Sequence, residues 1–80
     1  MPTFLLCHRH APEECRFAFA AWHGFDSPLR RVRALSSCPT GGHALWWVVT
    51  ADSSHAALDL LPSFVSQRAQ AIPVSEVPIP

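Results

Sequence analysis

The run His43-Ala44-Leu45-Trp46-Trp47-Val48-Val49-Thr50 constrains this chain more than any other stretch. It is β-branched and aromatic, and the turn residues Pro39-Thr40-Gly41-Gly42 precede it. It therefore reads as a strand. Leu45, Trp47 and Val49 point to one face, and Ala44, Trp46 and Val48 to the other. A strand that is apolar on both faces has to be covered on both. That places it at the centre of a sheet and raises the question of what covers the second face.

The remaining elements arrange themselves around it. Thr3 to Arg9 reads as a first strand, with Phe4, Leu6 and His8 on one face and His10 next in line. Leu5, Cys7 and Arg9 take the opposite face. Ala11-Pro12-Glu13-Glu14 opens a helix, because proline suits the first helical position and carboxylates suit the N-terminal end of the dipole. Cys15, Ala18, Phe19 and Trp22 form its apolar stripe, and Gly24 stops it. Leu29 to Cys38 reads as a second strand, and the Pro39–Gly42 turn makes a hairpin that sets Cys38 opposite His43. Asp52 or Ser53 caps a second helix with the stripe Ala57, Leu58, Leu61, Phe64, Val65 and Ala69. Pro62 should kink that helix or divide it in two. Ala71 to Pro80 reads as a last strand, and prolines 73, 78 and 80 confine it to a sheet edge.

The pattern is βαββαβ over residues 1–80, a single α+β domain on the ferredoxin-like plan. Right-handed crossovers give a four-stranded antiparallel sheet of order 4-1-3-2, with two helices on one face. A chain of 80 residues buries only about 60–65% of its unfolded surface. The uncovered face is therefore expected to pack on a second copy. In this pattern the chain resembles the dimeric α+β barrel superfamily of small stand-alone bacterial proteins. That group includes muconolactone isomerase-like, antibiotic-biosynthesis-monooxygenase-like, heme-degrading and small nickel-binding proteins. The resemblance implies a homodimer with the two sheets face to face. It covers the whole chain as a pattern of elements and brings no motif, so no site residue follows from it.

Charge narrows the function classes. The six basic residues, all Arg, are balanced by six acidic ones, whereas nucleic-acid binding usually needs a basic face. Arg30, Arg31 and Arg33 form the one cluster, with Arg31 and Arg33 sharing a strand face as edge protection or as an anion site. No apolar run approaches the ~20 residues of a membrane span, and the start lacks a signal-peptide pattern. A cytoplasmic protein is expected. Three cysteines without a disulfide framework suit a reducing compartment.

The topology gathers Cys7, His8, His10, Cys38 and His43 at one rim of the sheet, with Glu13, Glu14 and Cys15 nearby. Imidazole and thiolate are ligands for Zn, Ni or Cu. His8, His10 and His43 are the first choices for such a site and Cys38 the fourth. Cys7 is expected to face away from His8, and Cys15 to join the helix core. The competing readings are an ordinary polar rim and a metal-free pocket in which His8 or His10 acts as acid or base. His23, His55 and Asp26 read as surface residues.

Three functions fit. The first is a small homodimeric protein binding a transition metal through the Cys/His rim. The second is an accessory subunit without chemistry of its own. The third is a cofactor-free isomerase- or monooxygenase-like enzyme acting on a small molecule.

Overall fold

The computed structural model describes residues 1–80 and contains four strands and three short α-helices. The strands are β1 (Thr3–Arg9), β2 (Leu35–Ser36), β3 (Ala44–Thr50) and β4 (Ala69–Val74). The helices are α1 (Cys15–Ala20), α2 (Ser54–Leu58) and α3 (Ser63–Ser66), and single 3-10 turns cover Pro12–Glu14 and Cys38–Thr40. The class is α+β. The sheet is antiparallel, with neighbours β2-β3-β1-β4. Counted from the β4 edge, that order is 4-1-3-2.

The register explains the core. Leu6 lies opposite Trp47 and Ala71, and Phe4 lies opposite Val49 and Pro73. Phe4, Leu6, Trp47, Val49 and Ala71 line one face and pack against Ala57, Leu61 and Val65 of the helical layer. Trp22 closes the far side, with its ring 5.9 Å from that of Trp47. The opposite face carries Leu5, Cys7, Trp46, Val48 and Ile72, and no element of the chain covers it. Val48 is 70% exposed there, although a strand of this composition ought to be buried on both sides.

Several elements differ from their sequence patterns. The second strand is two residues long instead of spanning Leu29–Cys38. Residues 28–31 form a turn followed by a bend at Val32, and Arg31 adopts φ 71°, a left-handed conformation that no strand accommodates. Arg31 and Arg33 consequently share no strand face, and all three arginines of this run are exposed. The first helix is shorter than its stripe suggests, and Phe19 is half exposed while Ala18 is buried. Pro62 divides the second helical segment into α2 and α3, as its missing N–H requires. Ser53 caps α2 by accepting from the Ala56 N–H. The last strand begins at Ala69, two residues before the expected Ala71, and ends at Val74. The proline-rich residues 75–80 have no regular structure. No helix is long and apolar enough to cross a membrane.

Candidate metal centre

The rim where β1 ends and β3 begins is built by strand parity. Arg9 pairs with Ala44, so the next residue outward on each strand, His10 and His43, also lie opposite one another. The His10 N–H donates to the His43 carbonyl at 3.1 Å, extending the ladder one step beyond the strands. Side chains alternate faces, so His8, His10 and His43 all project to the helix side. The Leu45–Ser36 pairing carries Cys38 to the same side. Cys7, of opposite parity, faces away.

Two loops of equal length complete the arrangement. The first is His10-Ala11-Pro12-Glu13-Glu14-Cys15. Glu14 closes it, accepting from the Ala11 N–H at 2.9 Å while its own N–H donates to the Ala11 carbonyl at 2.9 Å. The other Glu14 oxygen accepts from the Arg68 guanidinium at 3.2 Å, which fastens the loop to the end of α3. The Ala11 N–H, and after it the Arg68 charge, holds the Glu14 carboxyl below its usual range. The turn brings Cys15 back over His10.

The second loop is Cys38-Pro39-Thr40-Gly41-Gly42-His43. It winds around Ser37, whose carbonyl accepts from the N–H groups of Thr40 and Gly42 at 3.0 and 2.8 Å. A Cβ on Gly42 would sit 2.6 Å from the Ser37 Cβ, so only glycine fits. Gly41 has φ 86° and His43 φ 52°. Left-handed backbone is uncommon for a residue with a side chain, and here it turns the His43 imidazole inward.

The result is one cluster. Ligand atoms of His10, Cys15, Cys38 and His43 all lie within 4.8 Å of one another. Cys38 Sγ is 3.5 Å from His10 Nε2, and the rings of His10 and His43 are 5.6 Å apart. His43 Nδ1 is buried with no hydrogen-bond partner, which is costly for a ring nitrogen unless something binds it. Burial pushes the Cys15 thiol up, and contact with Cys38 adds to the effect. Burial lowers the pKa of His10, assisted by His43. The His10 ring thus favours the neutral state in which imidazole ligates metal.

Of the residues singled out from sequence, His10, His43 and Cys38 come together. His8 stands behind them. It is wholly buried, with Nδ1 3.0 Å from the Val65 carbonyl and Nε2 2.9 Å from His10 Nδ1. With both nitrogens engaged, it has none to offer an ion. Cys15 takes the fourth place, although its helix stripe argues for the core. Its helix begins only at Cys15 itself, so the residue lies at a loop end, where the stripe argument does not apply. A sequence signal for it exists in the mirrored spacing H-x4-C and C-x4-H, each with a proline in its 3-10 turn.

The other candidates sit apart. His23 is exposed, and His55 is an exposed i,i+4 partner of Asp59 at 3.5 Å, a pairing of little energetic weight. None of the four surface cavities is lined by a histidine. The one adjoining this rim, 380 Å³, is lined by Cys7, Arg9, Gln67, Arg68, Ala69 and Gln70 on and beside the open face. Neither His8 nor His10, the acid/base candidates, lines that cavity. Comparison with protein-family models, curated proteins and solved structures finds no match to this chain.

Proposed function

We propose that the chain is a small metal-binding protein in which His10, Cys15, Cys38 and His43 hold one transition-metal ion, Zn(II) before Ni or Cu. The observation that carries this reading is the convergence of four donor atoms within 4.8 Å. Tetrahedral zinc, with Zn–N of about 2.0–2.1 Å and Zn–S of about 2.3 Å, sets its ligands roughly 3.3–3.8 Å apart. The His10–Cys38 pair, at 3.5 Å, has that spacing, and closing the rest of the cluster requires movements of about an ångström. Two thiolates cancel the charge of a divalent ion, which suits a part-buried site. Four protein donors fill a tetrahedron, so the site is a structural or sequestering one and not a catalytic one.

The same reading includes assembly. A ferredoxin-like plait whose open face packs on a second copy accounts for Leu5, Trp46, Val48 and Ile72. The chain exposes 5544 Å², roughly 800 Å² more than a monomer of this mass is expected to expose. A stable interface buries about 800 Å² from each partner.

Tag-free protein purified without chelator should carry one metal ion per chain by elemental analysis. Zn(II) should raise its melting temperature while Mg(II) leaves it unchanged. Protein that binds none of Zn, Ni and Cu overturns the metal reading. Light scattering that gives a monomer at micromolar concentration overturns the dimer alone.

A further inference from the structure

The buried histidine that the proposed ligand set leaves unused sits at the end of an ordered chain of hydrogen bonds. The Val65 carbonyl can only accept, so the proton on His8 is at Nδ1. His8 Nε2 then carries a lone pair, and at 2.9 Å it can only accept from His10 Nδ1–H. That leaves His10 Nε2 unprotonated, and this is the atom 3.5 Å from Cys38 Sγ. Each link follows from the one before, starting from a backbone carbonyl. The α3 backbone thereby dictates which nitrogen of His10 faces the cluster as a lone pair.

We propose that His8 is a positioning residue for the metal centre, locking His10 in the Nδ1–H tautomer and aiming its Nε2 at the ion. The proposal rests on the metal reading above and deepens it. Its physical basis is the pairing that ligating histidines commonly need, in which the remote ring nitrogen donates to a fixed acceptor. Usually that acceptor is a carboxylate, a carbonyl or water. Here it is a second imidazole, itself anchored on a carbonyl, so the donor chain reaches the core without placing a negative charge there. His8 is wholly buried and its ring centroid lies 5.1 Å from that of His10, so packing as well as hydrogen bonding holds the His10 ring.

The test uses the full chain with His8→Phe and His8→Gln. Phenylalanine keeps a ring in the cavity but removes both polar links. Glutamine offers an amide donor and an amide acceptor in their place. Zn(II) affinity, measured by competition with a chromophoric chelator, should fall about 10–100-fold in His8→Phe and recover substantially in His8→Gln. The Co(II) absorption bands of His8→Phe should remain those of a two-sulfur, two-nitrogen site, because no ligand has been removed. Equal affinity in wild type and His8→Phe overturns the proposal, and so does a His8→Gln variant no better than His8→Phe.

A readout without metal covers the case in which His8→Phe fails to fold. Long-range nitrogen–proton NMR correlations in metal-free wild type should show Nδ1–H for both His8 and His10. An Nε2–H tautomer at His10 overturns the positioning role even if the ion binds. A wild type that takes up neither Zn(II) nor Co(II) while showing the expected tautomers overturns the metal reading, and the positioning role with it.

Discussion

The two six-residue loops that meet at the rim supply the same donors in reverse order, yet they are held in different ways. The 10–15 loop is fastened from outside: Glu14 bridges the Ala11 N–H and the Arg68 side chain, and Arg68 lies over the Phe64 ring at 3.7 Å. Its histidine is buried. The 38–43 loop is held from within, by Ser37 and two glycines, and its histidine sits in a left-handed conformation with a buried unpartnered nitrogen. The first loop is stable because of what surrounds it. The second carries strain that an ion at His43 would offset. Bound metal should therefore order the second loop more than the first.

The largest expected effect tests whether the loops are equal as donors. Cys15→Ser and Cys38→Ser should each weaken Zn(II) binding about 100-fold or more, at least a sixth to a quarter of the ~10–16 kcal/mol typical of a four-ligand zinc site. Calorimetric or competition titration measures this. If Cys38→Ser matters and Cys15→Ser does not, the first loop is scaffold only. Next comes Gly42→Ala, which forces a Cβ against Ser37 and should destabilise the fold by about 1–3 kcal/mol. Amide exchange should speed up in the second loop and stay unchanged in the first.

The pH dependence reports on the two buried histidines, one of them in the first loop. Burial holds His8 and His10 below the ordinary histidine pKa of 6.5. In mildly acidic solution the unfolded metal-free chain therefore binds more protons than the folded one. The stability these two contribute is complete above about pH 6.5 and is lost as pH falls below it. Urea unfolding of metal-free protein between about pH 8 and 5 should show that decline. A flat profile would mean that the rim opens to water.

The smallest effect belongs to Glu14→Gln. It should loosen the first loop's attachment to Arg68 and lower metal affinity only a few-fold. Since the Glu14 carboxyl titrates below its usual range, its contribution is present above the ordinary glutamate pKa and fades as pH drops through the depressed one. The variant should lack that acid-side dependence.

The fold was legible where local pattern and tertiary demand agree. β1 and β3 follow their alternation almost to the residue, and Pro62 divides the second helical segment because it has no N–H to give. The Leu29–Cys38 run failed as a strand because a φ of 71° at Arg31 is a backbone choice that no side-chain alternation announces. Three of the four cluster residues were legible for a simple reason. Strand parity at a shared rim follows from antiparallel pairing alone.

Sequence by itself determined the central run His43–Thr50, the two-sided apolar strand, and the meeting of His10, Cys38 and His43 where strands end. Only tertiary structure decided between His8 and Cys15. His8 has the right strand parity but lies one step too deep, where α3 supplies the Val65 carbonyl and engages its ring. Cys15 sits at a loop end whose path depends on Glu14 reaching Arg68, 54 residues away in the chain. Periodicity tells which face a residue takes. How far along that face a donor can reach is set by contacts that local spacing does not encode.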